Sequence, residues 1–161
     1  MIYLKVRLLL ALLVMFVMTI LPMPDLITGF RPPWVLLFVL YIQLVMPKYF
    51  NLVFLFVIGL FLDVLSTAPL GEHAFALLLT TWIVTNKTRR FPFFNLGQQM
   101  AYVIFYCLMY QLIILFMDVF LGYQYNLFSA ISSAFIGMLL WPWLRLLGDS
   151  LFRVKRVVTF F

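Results

Sequence analysis

Six apolar runs, each parted from the next by proline, glycine or a small cluster of charge, set what this chain can fold into. They cover residues 8–21, 33–49, 51–66, 72–86, 97–121 and 127–147. A helix that crosses the hydrocarbon of a bilayer needs roughly 20 mainly apolar residues, fewer where flanking side chains snorkel. The runs are therefore read as six transmembrane helices. Composition excludes a water-soluble core: only 10% of the 161 residues are charged, and mean hydropathy is +1.15. A soluble domain of this size carries about a quarter charged residues. The expected fold class is all-α, a polytopic membrane protein with a single integral domain over residues 1–161.

Local signals mark where the helices stop. Pro22 and Pro24 follow the first run, Pro47 the second, Pro69 and Gly71 the third, Pro92 the fourth and Gly122 the fifth. Asn51, Asn95 and Asn126 each stand just before an apolar run, as N-caps do, and Gln98 three residues after Asn95 completes a capping-box pattern.

The basic residues orient the spans. With the N-terminus in the cytoplasm, six crossings put Lys5, Arg7, Lys48, Lys87, Arg89, Arg90, Arg145, Arg153, Lys155 and Arg156 on that side and only Arg31 outside. That distribution obeys the positive-inside rule, so both termini are expected inside (N-in/C-in). Asp25, Asp63, Glu72 and Asp118 fall toward the outer face and Asp149 toward the inner one. Ten basic residues and one acid give the inner side a charge of +9; one basic residue and four acids give the outer side −3. A cleaved signal peptide would also begin with a basic segment and a short apolar run, but TILPMPDL lacks the small residues of a cleavage site. The net charge of +6 comes in short clusters between spans, with no basic aromatic face for nucleic acid.

Chemistry-bearing residues are few. His73 is the one histidine and Cys107 the one cysteine, and the chain has no HExxH, GxSxG, CxxC or glycine-rich phosphate loop. No enzyme, metal site or cofactor is expected. Asp63 stands out in GLFLDVLS, near the outer end of an apolar helix, with Gly59 one turn earlier on the same face. An ionisable group in a span costs about 2.5–3.5 kcal/mol at the bilayer centre and less toward its edge. It should therefore face protein or water, as an anchor for the outer loops or a partner, or else reach outward to the interface. Asp118 invites the same reading, although its neighbours Met117 and Val119 offer no partner.

Three periodic features are read as packing. Ser129, Ser133 and Gly137 form a small-residue stripe that lets another helix approach closely. Tyr102, Tyr106 and Tyr110 share one face of the fifth run. In WPWLR, Trp141 and Trp143 suit an aromatic belt at the inner interface, with Pro142 bending the helix.

The segments PMPD, FRPPWVLLFVLY, MPKYFN, GLFLDVLSTAPLG, RRFPFFNLGQQ and LLWPWLRLL, in this order, resemble the MreD family of rod shape-determining proteins nearly end to end. The residues that match are Pro24, Asp25, Arg31, Pro32, Trp34, Gly59, Asp63, Leu70, Gly71, Trp141, Pro142 and Trp143. The resemblance implies a non-enzymatic, multi-pass protein of the bacterial inner membrane in the machinery that elongates the peptidoglycan wall. It implies MreC, a membrane-anchored protein, as partner, together with the MreB filament, the glycosyltransferase RodA and a class B penicillin-binding protein. The family's fold is similar to that of the substrate-binding components of energy-coupling-factor transporters. A small-molecule-binding transporter component is accordingly the alternative, and it would require a polar-lined cavity among the first loop, Asp63 and the fourth helix. As the lone outer cation, Arg31 is expected to pair with Asp63, Glu72 or Asp118 and to pin the first loop across the bundle.

Overall fold

The computed structural model describes residues 2–21, 32–45, 51–85, 91, 94–123 and 127–152. Six α-helices make up nearly nine-tenths of them, and there is no strand among the described residues. They are α1 (Ile2–Ile20), α2 (Trp34–Val45), α3 (Leu52–Ser66), α4 (Glu72–Thr85), α5 (Leu96–Leu121) and α6 (Leu127–Phe152). Each apolar run thus has its helix. Two of them, α5 and α6, are long and apolar enough to cross a membrane on their own.

The helix ends follow the sequence punctuation where they are described. Asn51 caps α3, its side-chain oxygen accepting from the Val53 amide at 3.0 Å. At the start of α5 the Asn95 amide donates to Gln98 Oε1 at 3.3 Å. Thr67 ends α3 in the left-handed region at φ 53°, and Gly122 ends α5 at φ 76°. The outer helices run further than hydropathy alone suggests. α1 begins at Ile2, and α6 continues past residue 147, where Arg7 Nη1 of α1 donates to the Leu151 carbonyl at 3.1 Å. Pro22, Pro24, Pro47, Pro92 and Asn126 lie outside the described residues, as does the expected continuation of α2 to residue 49.

The bundle is built around α2. Ten consecutive residues, Val35 to Leu44, are buried, so this helix has no lipid- or water-facing side. Such a helix is apolar all round because every direction from its axis meets protein. The other five close a ring about it in the order α1, α3, α4, α5, α6, each touching the next and α6 returning to α1. Outward faces of the ring carry large exposed apolar side chains, among them Leu13, Phe61, Phe116 and Phe135. Polar Gln43, Asp63, Glu72 and Gln99 are buried inside. This inversion of the soluble pattern suits a bilayer, where polar groups must find their partners within the protein. Gln43 of α2 does so by donating from Nε2 to the Thr81 carbonyl of α4 at 2.8 Å.

Glycines set the closest helix contacts. A Cβ on Gly59 would lie 2.3 Å from Ala74 Cα, so α3 and α4 meet backbone to backbone there. A Cβ on Gly137 would lie 3.1 Å from Cys107 Sγ and 3.5 Å from the Pro33 ring. Ser133 and Gly137 of the Ser129, Ser133, Gly137 stripe therefore face inward, with Ser133 Oγ accepting from Gln111 Nε2 of α5 at 2.9 Å, while Ser129 is half-buried. The tyrosine face of α5 is also internal, with Tyr106 and Tyr110 buried and Tyr102 stacked on Phe94 at 5.1 Å.

The aromatic belt expected of WPW divides. Trp143 is 69% exposed, whereas Trp141 is fully buried with its ring edge-on to Phe91 at 5.9 Å. Two residues on a helix stand about 200° apart, so only one of the pair can face outward. α6 runs on through Pro142 without ending.

Two outcomes follow for folding. Gly59→Ala is expected to destabilise the protein by about 1–3 kcal/mol or more, read as a fall in Tm in mild detergent. Gly97→Ala, where an added Cβ meets nothing, should be neutral or slightly stabilising. Likewise Trp141→Ala should cost about 3–5 kcal/mol in the same assay, and Trp143→Ala should leave Tm nearly unchanged.

Candidate functional site

The α3–α4 corner holds the most concentrated polar chemistry among the described residues. Asp63, one turn before the end of α3, is completely buried. Its Oδ2 accepts from the Gly71 amide at 2.7 Å, and its Oδ1 from the His73 amide at 2.7 Å and from His73 Nδ1 at 3.1 Å. Gly71 and His73 are the cap and second positions of α4. Amides at a helix start lack intrahelical partners and sit at the positive end of the helix dipole. Asp63 therefore serves as an N-cap supplied from a different helix.

The turn between them is shaped for this contact. The Asp63 carbonyl accepts from the Ala68 amide at 3.1 Å, closing the end of α3, while Gly71 adopts φ 99°, which side-chain-bearing residues rarely reach. Gly59, four residues before Asp63, permits the close α3–α4 approach that brings the carboxylate under the α4 terminus. The two residues of the GxxxD spacing thus cooperate: one removes bulk, the other supplies the acceptor.

Two further acids complete the corner. Glu72 is buried, and its carboxyl group faces that of Asp118 on α5. Asp118, left without a partner by its own neighbours in sequence, finds one on α4. The His73 ring lies edge-on to Tyr110, 6.3 Å between centroids. Beside this corner is a cavity of about 480 Å³ between the end of α1, the start of α2, the end of α3, the start of α4, the middle of α5 and the second turn of α6. Pro32 and Trp34 line it where α2 begins, with the Trp34 amide donating to the Pro32 carbonyl at 2.9 Å. Asp25 and Arg31 lie outside the described residues, and with them the expected Arg31 ion pair. Among the described residues no His, Cys, Asp and Glu side chains gather in a group of three or more able to hold a metal ion.

A second polar cluster ties the opposite end of the bundle. Tyr41 of α2 donates from its hydroxyl to Asp149 Oδ1 of α6 at 3.2 Å, and Arg145 Nε stands 3.9 Å from Asp149 Oδ2. Arg145 Nη1 also donates to Gln99 Oε1 of α5, and Gln99 Nε2 donates to the Phe94 carbonyl at 2.6 Å. Gly148 makes room for the Tyr41 ring, since a Cβ there would lie 2.4 Å from Tyr41 Cζ. In the sequence Arg145 and Asp149 read only as inner-side charges, and Tyr41 carries no signal of its role. The i,i+4 spacing of Arg145 and Asp149 was the available signal; the tyrosine, 108 residues away from Asp149, left none.

Residues 1–151, which contain both clusters, match the family described as rod shape-determining protein MreD. The chain belongs to the MreD family. A relative from Haemophilus influenzae described as "Rod shape-determining protein MreD" is 29% identical over 132 residues, 82% of each chain. No solved structure matches the chain. The MreD family is described by cell shape and not by a reaction. Of the residues that carry the family resemblance, Gly59, Asp63 and Gly71 converge at the α3–α4 corner, Pro32 and Trp34 open α2, and Trp141 packs in the core.

Substitutions at Asp63 should grade by the acceptors they leave. Asp63→Asn keeps one carbonyl oxygen for two amides, whereas Asp63→Ala strands both. Each stranded amide costs about 1–3 kcal/mol, so Tm in mild detergent should fall in the order wild type, Asn, Ala. Proteolysis should become faster at the turn over residues 67–71 in the same order.

Proposed function

We propose that this chain is a single-domain protein of the bacterial inner membrane, spanning it six times with both termini inside. In this reading it is a scaffold of the rod-shape elongation complex. It binds membrane-anchored MreC and links the peptidoglycan synthases, RodA and a class B penicillin-binding protein, to the MreB filament. Its six-helix arrangement is of the kind found in energy-coupling-factor substrate-binding components, here turned to binding proteins.

One observation carries this reading beyond the family match. Apart from the exposed bond from Arg7 to the Leu151 carbonyl, the described polar contacts between helices run inward, from Asp63 to α4, Gln43 to Thr81, Gln111 to Ser133 and Tyr41 to Asp149. What the ring offers its surroundings is a girdle of large apolar side chains. A rigid core with an apolar exterior is what a scaffold needs to hold the membrane helix of a partner. The inner-side charge of +9 suits contact with anionic lipid headgroups.

Single cysteines at Leu13, Phe61, Phe116 and Phe135 sample the faces of α1, α3, α5 and α6, and the one native thiol, Cys107, is buried. Crosslinking to cysteines along the MreC membrane segment should capture one face at least several-fold more strongly than the others. Equal capture from every face, or none, would count against a defined docking groove. Purification in gentle detergent should recover the wall synthases together with MreC.

A further inference from the structure

We propose that the cavity beside the α3–α4 corner is a binding site for an uncharged molecule that carries a hydroxyl or amide group on an apolar body. This goes beyond the scaffold reading and does not depend on it. The cavity has the size of small-molecule sites, about 480 Å³ against a usual range of roughly 300–1,000 Å³. Its walls mix apolar and polar surface, with Met18, Leu36, Leu62 and Ile114 on the apolar side.

Thr19, Ser66, Thr67, His73 and Ser133 contribute polar groups to the lining, and two residues of α5, Tyr110 and Gln111, add a donor and an acceptor. Tyr110 is only 4% exposed and lines the cavity, yet its hydroxyl meets no hydrogen-bond partner among the described residues. The hydroxyl is not one of the sealed, unpaired side-chain atoms of the interior, so it opens on the cavity and can donate to a molecule held there. Gln111, next in sequence, commits its Nε2 to Ser133 Oγ at 2.9 Å, which leaves Oε1 as an acceptor. A molecule that reaches both must accept from the Tyr110 hydroxyl and donate to Gln111 Oε1, which a hydroxyl or a primary or secondary amide can do. No Asp, Glu, Lys or Arg lines the cavity among the described residues. Asp63 is turned away into its contacts with Gly71 and His73. Among the described lining residues only the His73 ring could carry a positive charge, so an ionised head group would meet no fixed counter-charge there.

A matched pair of probes tests this on the full chain in lipid nanodiscs: octanamide, and octanoate, which has the same apolar chain but an anionic head. Octanamide should raise Tm saturably, as a ligand of the folded state does, and octanoate should not. Tyr110→Phe keeps the ring and its contact with His73. It should weaken the apparent affinity for octanamide about fivefold or more, and Gln111→Leu should do the same. A second set of discs, doped with dioleoylglycerol, distinguishes the sources of the ligand. A shift with octanamide in plain discs points to a soluble molecule, and a Tyr110-dependent shift confined to doped discs points to a neutral lipid. Either supports the site. No saturable shift in either bilayer, an equal response to octanoate, or unchanged affinity in both variants would overturn it.

Discussion

The fold turns on one buried carboxylate. Asp63 is fully buried near the end of an apolar helix, where an ionisable side chain is costly, and it is tolerated there because two amides and an imidazole of the neighbouring helix start converge on its two oxygens. A carboxylate solvated this way exchanges water for fixed donors and the favourable end of a helix dipole. The contact also dictates geometry. α4 can begin only where its first amides reach Asp63, and α3 can stand close enough only because residue 59 has no side chain. The corner so fixed holds Glu72 toward Asp118 and His73 toward Tyr110, which connects the α3–α4 pair to α5.

The opposite end is held differently. There the link is a chain of side chains, from Tyr41 through Asp149 and Arg145 to Gln99, which gathers α2, α6 and α5. Between the two ends Gln43 fastens α2 to α4 and Gln111 fastens α5 to α6. In a medium that supplies no hydrogen bonds, each of these groups must be matched within the protein, so polar residues mark helix pairs more sharply than apolar ones do.

How much of this was legible in the sequence depends on the range of the interaction. Helix number and most boundaries came from apolar runs and from caps such as Asn51 and Asn95, which act within a few residues. The Gly59 and Asp63 pairing was visible as an oddity, since an acid in an apolar helix must have a reason, but its partners were not. Long-range partners were out of reach: nothing near Asp118 points to Glu72, and nothing near Asp149 points to Tyr41. The WPW motif misled because composition does not say which of two opposed faces looks inward, and Trp141 took the core while Trp143 took the exterior. The central place of α2 was hidden as well, because a helix wrapped by protein and one bathed in lipid have the same greasy sequence.

The unequal lengths of the ring helices bear on the membrane itself. α3 is closed at both ends, by Asn51 and Thr67, after 15 residues, about 22 Å of axis, whereas α5 and α6 each run for 26 residues, about 39 Å. The hydrocarbon of a bilayer is about 30 Å thick. In the six-span reading proposed above, one flank of the protein would be too short for it and the other too long. Tilt would accommodate the long flank, but lipid beside the short one would have to thin, at a fraction of a kcal/mol for each ångström of mismatch. A second protein with an equally short span would relieve that strained annulus by settling against it. On that reading the bilayer itself would favour company on the α3 side of the ring before any side chain has been recognised.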